Sequence, residues 1–248
     1  LAVIIVCCGT VAAVPTVNAE PVRLVTGNDY YPYADGDLPE GGITGAIVRA
    51  AYEDAGHSIA KIDFKPWTRA YQETLHGKYT ATFPWMESPE RRREMLFSDP
   101  IFTTTTRVAV RADFDRPIED ASDLHDLTYC TPVSYEPGRT VTALEDERKV
   151  DVAHPYRMTD CLRMLERGRV DFIPLEKPTI VVAALKVFGS TDPIRFADAV
   201  LDRVHLHVLF PKDRDGARVA RDKFNAALAR LRKSGRYDRI VDTYELRQ

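Results

Sequence analysis

Three kinds of side chain in this sequence have the chemistry to read a small polar molecule. The run Arg91 to Arg93 offers planar guanidinium groups, which bind a carboxylate through two parallel hydrogen bonds. Such a run equally suits a solvated surface. Glu176 follows the mostly apolar stretch Val170 to Leu175 and precedes a helical pattern near Pro178. An acid there suits an ammonium partner if it faces a cleft, or the dipole of the helix if it does not. Tyr30 lies in a polar loop, Trp67 opens a helical pattern, and Trp85 and Tyr135 stand close to prolines. Aromatic faces supply apolar contact and attract a cation, with core packing as the competing role for each ring.

Other chemistries are poorly provided for. The sequence has no Gly-rich phosphate loop, no nucleophile paired with a base, and no cluster of metal-ligating residues. His57, His76, His125, His154, His205 and His207 are scattered. The last two share one strand face, but a two-ligand half-site without a nearby Cys or third His reads as ordinary strand residues. Neither a cofactor nor a metal is expected. A net charge of −3 and a pI near 6.1 leave no basic field for a phosphate backbone, so nucleic acid is excluded as a partner. With 44% hydrophobic and 29% charged residues the composition is that of a globular protein.

The elements that must position these residues alternate in type, which predicts an α/β fold. Strands are expected over Val22 to Thr26, Lys61 to Phe64, Tyr79 to Phe83 and Thr105 to Arg111. Helices are expected over Ile43 to Ala55 and Trp67 to Leu75. A second set places strands near Thr128 to Thr131, Val150 to Val152 and Val170 to Pro174. Its helices fall near Val141 to Asp146, Thr159 to Arg167 and Pro178 to Leu185. Val204 to Phe210 reads as a strand and leads to a helix from Asp215 to Ser234, with Phe224, Ala227, Leu228 and Leu231 on one face. Gly235 then stands at its C-cap. If the strands at 105–111 and 204–210 both cross between two lobes, residues 20–109 and 207–248 form one lobe. Residues 110–206 form the second, inserted in it, with a ligand cleft between.

Residues 1–19 contain no charged side chain and run from an apolar stretch into small residues ending at Ala19. They read as a signal peptide truncated at its start and cut after Ala19; Gly9 and Pro15 argue against a membrane anchor. Neither Cys7 nor Cys8 follows the small residue that lipidation requires. Cys130 and Cys161 then remain, and in an oxidising compartment the pair is expected to form a disulfide worth about 3–4 kcal/mol on the chain-entropy model.

Several segments, spread over nearly all of residues 20–248, resemble family 3 of the bacterial extracellular solute-binding proteins. They are VTGNDYYPYADGDLPEGGITGAI, PWTRAYQETLHGKYTA, SPERRREMLFSDPIF, LERGRVDFIPLE and the ending FNAALARLRKSGRYDRIVDTYEL. The resemblance implies a periplasmic component of an amino acid ABC importer. It implies two αβ lobes of the type II periplasmic-binding-protein fold, joined by two hinge strands, with a small-molecule ligand and a permease as partners. A monomer is expected. By this resemblance Arg91 is the arginine that clamps a ligand carboxylate, leaving Arg92 and Arg93 on the surface. Glu176 stands where the family has an Asp for the ligand amine, and Tyr30 and Trp67 stand where rings sandwich the ligand.

The likeness fails at two loops. Phe83, Pro84, Trp85, Met86 and Glu87 replace a small, hydroxyl-bearing stretch, and Ser134 and Tyr135 stand where small donors are usual. Trp85 and Tyr135 make the cleft more aromatic, which suits a larger or modified amino acid, an aromatic acid or another zwitterion. The rival readings are a dehydratase-type enzyme on this scaffold, with Glu176 as general acid or base, and a sensor module presenting its bound form to a receptor. The sequence stops at Gln248 after its last helix, so a module without a fused kinase or permease is expected.

Overall fold

The structure, a computed structural model, describes residues 21–133 and 135–245. The expected signal peptide, its cut after Ala19, Cys7, Cys8 and Ser134 lie outside the described residues. The elements run β1 (Val22–Thr26), α1 (Ile43–Asp54), β2 (Ile59–Phe64), α2 (Trp67–Leu75), β3 (Ala81–Trp85), α3 (Pro89–Glu94), β4 (Met95–Phe97) and β5 (Phe102–Arg111). They continue with β6 (Thr128–Cys130), α4 (Arg139–Asp146), β7 (Asp151–Ala153), α5 (Met158–Glu166), β8 (Phe172–Leu175), α6 (Lys177–Phe188), β9 (Ile194–Pro211), α7 (Ala217–Lys233) and α8 (Arg236–Glu245).

The strands join in the order β2-β1-β3-β9-β5-β8-β6-β7, with β4 also beside β9. At one end β1 lies parallel to β2 and β3; at the other β6 lies parallel to β7 and β8. Parallel neighbours require crossover connections, which is why helices alternate with strands in both sets. Between them β5 and β9 pair antiparallel from Phe102↔Leu206 to Arg111↔Ile194. The late part of β9 also pairs with β3 and β4, while β5 pairs with β8. These two long strands are thus common to both halves of the sheet.

Each half has its own core, giving a two-lobe α/β molecule. The first core joins Leu24, Ile47 and Phe83 to Leu206, Phe210 and Phe224, late in the chain. Burying a phenylalanine such as Phe83, Phe210 or Phe224 contributes about 1.5–3 kcal/mol. The second lobe buries Leu162, Ile173 and Ile180 on one face and Tyr129, Val141 and Phe172 on the other. Cys130 and Cys161 form the expected disulfide, with Cα atoms 5.5 Å apart, tying β6 to α5. Among the described residues no helix is long and apolar enough to cross a membrane.

Three features differ from the sequence expectation. β9 begins ten residues before Val204: Ile194, Ala197 and Ala199 are buried, while Arg195 and Phe196 are half-buried and Asp198 and Val200 exposed, so no clean apolar alternation marks the strand. Strand β4 and the short helix α3 were not expected; α3 buries only Arg91 and so shows no apolar period. Helix α7 spans a little less than Asp215 to Ser234, and Gly235 takes a φ of 68°, the left-handed turn expected after a helix.

Candidate functional site

The loop after β1 is built to hold Tyr30 inward. Tyr30 and Ala34 exchange backbone hydrogen bonds, and the N–H groups of Ile43 and Thr44 return to the carbonyls of Pro32 and Tyr33. Gly42, the N-cap of α1, has a φ of 97°, and a Cβ there would lie 2.7 Å from the Tyr33 carbonyl oxygen. Only glycine permits that approach. The phenol of Tyr30 is buried and donates a hydrogen bond of 2.9 Å to Oε1 of Glu176, at the start of α6 in the other lobe.

Glu176 is fully buried, and its Oε2 meets no hydrogen-bond partner among the described residues. Burial pushes its carboxyl up to about 7, against the opposing pull of its own backbone N–H and the Tyr30 hydroxyl. It is the N-cap residue of α6, yet its side chain makes no capping hydrogen bond. Desolvation, with the Glu176 charge second, also raises the phenols of Tyr30 and Tyr33 well above the tyrosine range. The Tyr33 hydroxyl meets Thr104 Oγ1 at 2.8 Å.

Trp67 and Tyr135 gather around Tyr30. The Tyr30 centroid is 6.0 Å from that of Trp67 and 6.1 Å from that of Tyr135, and Trp67 and Tyr135 are 6.4 Å apart. All three contacts are near-perpendicular, at 80°, 75° and 82°. Trp67 is laid in place by Gly27, where a Cβ would fall 2.0 Å from the indole, and it donates from Nε1 to the Asn28 carbonyl at 3.0 Å. Trp85 packs edge-on against Trp67 at 5.2 Å and donates to Thr82 Oγ1 at 3.0 Å.

Arg91 completes this wall. Ser88 caps α3 by accepting from the Arg91 N–H, which turns the guanidinium under Trp85, 4.8 Å from the ring centroid. Its Nη1 donates to the Met86 carbonyl at 3.1 Å, and its Nη2 pairs with Glu136 Oε1 at 3.1 Å. Burial draws the guanidinium below its ordinary value, with Glu136 pulling the other way. Burial raises the Glu136 carboxyl in turn, opposed by Arg91. Arg92 and Arg93 are exposed.

Tyr30, Trp67, Trp85, Arg91 and Tyr135, five of the residues singled out from sequence, line one pocket together with Pro84, Met86, Glu136 and Leu206. Glu176, the sixth, lies behind Tyr30. The space left between them is about 30 Å³, room for a water or two. The lobes meet across it through Tyr30–Glu176, Arg91–Glu136, the Tyr135 hydroxyl on the Asp29 carbonyl at 3.4 Å, and Thr179 Oγ1 on the Tyr31 carbonyl at 2.6 Å. Sequence reasoning passed over Glu136. Its signal was an acid beside Tyr135 in a loop already marked as unusual.

The histidine pair is arranged differently. His207 is buried with Nδ1 2.8 Å from the Ser98 carbonyl and its ring 6.5 Å from that of His205, which meets Thr103 Oγ1. Among the described residues no group of three or more His, Cys, Asp or Glu is placed to hold a metal.

Two αβ lobes sharing two long strands, with a polar-aromatic cleft between them, define the ligand-binding class of two-lobe proteins. The chain belongs to the bacterial extracellular solute-binding proteins, family 3, whose family model matches residues 22–247. No curated protein matches it. Among solved structures it is similar to a mutant of ArgBP from T. maritima (21% identity, TM-score 0.72, covering 90% of this chain and 94% of that one). It is similar also to a histidine kinase sensor domain with similarity to periplasmic binding proteins (19%, 0.75, 92% and 96%). A third is an ancestral amino acid-binding protein described as a precursor of cyclohexadienyl dehydratase (19%, 0.70, 90% and 94%). At these identities the likeness concerns the fold.

Proposed function

We propose that this chain is a periplasmic solute-binding protein that captures a small polar organic molecule, an amino acid or a relative of one, for an ABC importer. In this reading residues 20–109 and 207–248 form one lobe and 110–206 the other. β5 and β9 act as the hinge, and Tyr30, Trp67, Trp85, Arg91, Tyr135 and Glu176 are the ligand residues. The observation that carries it is the convergence of rings and charged groups from both lobes on one pocket. A cleft this small must open to admit a ligand and close over it, which is how binding is converted into a shape that a permease recognises.

A thermal-shift screen of amino acids, amines and aromatic acids tests the reading. A ligand at 100 times its Kd stabilises by about 2.7 kcal/mol, a shift of several degrees. Silence across the whole panel would overturn it. One observation supports an enzyme as the second reading: a fully buried carboxyl at about 7 is poised for proton transfer at neutral pH. Recovery of every hit unchanged after prolonged incubation separates binding from turnover.

A further inference from the structure

We propose that the solute is an organic cation, an alkylated ammonium, and that the cleft recognises it without needing a carboxylate on the ligand. The proposal rests on the solute-binding reading and narrows it to a ligand class.

The first ground is that the guanidinium of the pocket already holds a carboxylate. Glu136 Oε1 sits 3.1 Å from Arg91 Nη2, while Nη1 is bound to the Met86 carbonyl. As the cleft closes, a ligand carboxylate would have to compete with an equivalent group that the second lobe brings back to the same arginine at high effective concentration. The exchange gains little, because one carboxylate replaces another on the same arginine.

The second ground is the arrangement of the rings. Tyr30, Trp67 and Tyr135 make three mutual edge-to-face contacts, with centroids 6.0 to 6.4 Å apart. In such contacts the positive edge of one ring rests on the negative face of the next. An ammonium satisfies the same faces more strongly, and it is attracted when it lies within about 6 Å of a centroid. A cation entering as Tyr135 swings away with its lobe thus replaces ring edges by a full charge.

The third ground is the charge left over. Lys186 lies 3.6 Å from Asp29 and 4.0 Å from Asp35, and Arg91 is paired with Glu136. Glu176 remains, fully buried, with Oε1 held by Tyr30 and Oε2 without a hydrogen-bond partner among the described residues. A buried carboxyl directly behind Tyr30, kept protonated by burial in the empty cleft, is stabilised as a carboxylate once a cation enters the pocket in front of it.

Calorimetric titration of the purified protein with choline, tetramethylammonium and glycine betaine tests this. Choline and betaine share the trimethylammonium group, and only betaine adds a carboxylate. Choline and tetramethylammonium are expected to bind, with choline at least as tight as betaine. Tyr135→Ala and Glu176→Gln should each weaken choline about 30-fold, the loss of one desolvated cation–π or charge contact. Tyr135→Phe, which keeps the ring, should weaken choline less than Tyr135→Ala does, and an unchanged circular dichroism spectrum of each variant guards against misfolding as the cause. Glu136→Gln should leave choline within about twofold and tighten betaine about tenfold by freeing Arg91. If carboxylated ligands bind and neither choline nor tetramethylammonium does, the cation assignment falls and the solute-binding reading stands. If the amino acid panel is silent as well, both fall.

Discussion

Glu176→Gln should flatten the dependence of stability on pH between about 4.5 and 7. The Glu176 carboxyl is fully buried and titrates at about 7 in the folded chain, against 4.5 for an unperturbed glutamate. Between those values the folded state keeps a proton that the unfolded state releases. Stability from this group is therefore present at acid pH, falls as pH rises, and levels off above the folded pKa. The gap corresponds to about 3 kcal/mol at 1.36 kcal/mol per unit, or roughly 6–12 °C in Tm for a chain of this size. Two other groups act in the same range. Glu136, also raised by burial, has the same sign. His207, held below its ordinary value by burial, has the opposite sign and loses stability as pH falls. Urea denaturation of wild type and variant at matched pH removes both from the comparison. The variant should gain about 3 kcal/mol on the wild type between pH 4.5 and 8. Parallel curves would refute the argument that burial holds this carboxyl neutral.

Tyr30→Phe removes the hydroxyl that lowers the Glu176 pKa, so the same titration should shift to higher pH, with a stability loss of about 1–3 kcal/mol from the unpartnered oxygen. An unchanged midpoint would mean the hydrogen bond is not made in solution. Reducing Cys130–Cys161, or replacing both with Ser, should lower stability by about 3–4 kcal/mol on the chain-entropy model for a sequence separation of 31. Denaturation with and without reductant measures it, and coincident curves would count against the bridge. Gly27→Ala places a methyl on the Trp67 indole. The expected result is a shift in tryptophan fluorescence and loss of ligand binding with the secondary structure intact by circular dichroism. Retained binding would show that Trp67 has no fixed seat.

Most of the fold was legible because its elements carry their own periodicity. The pattern of Trp67–Leu75 predicts that helix at its observed bounds, and that of Val22–Thr26 does the same for β1. The misses have a common cause, which is that tertiary contacts rather than local pattern create the element. Helix α3 is PERRRE with one buried residue, held by the Ser88 cap and by the pocket that takes Arg91. The first half of β9 carries Arg195, Asp198 and Asp202 among its apolar positions, and there it has β5 alone as a neighbour, so its exposed edge tolerates charge. In the site, residue types identified the rings and the arginine. They could not reveal that Glu136 occupies the arginine, since that depends on how two lobes meet. The neutral tendency of Glu176 was hidden for the same reason, being a property of what surrounds it.

The placement of β9 sets an order in time. The first lobe begins at Val22, but its sheet needs Leu209 beside Thr82 and its core needs Phe210 and Phe224. The second lobe draws on residues 108–199 and is complete in one continuous stretch. Refolding can therefore finish the later lobe first, while β1, β2 and β3 wait as an open edge for a strand more than a hundred residues downstream. Until that strand arrives, the half of the cleft that carries Tyr30 and Trp67 has no floor, and the protein cannot bind.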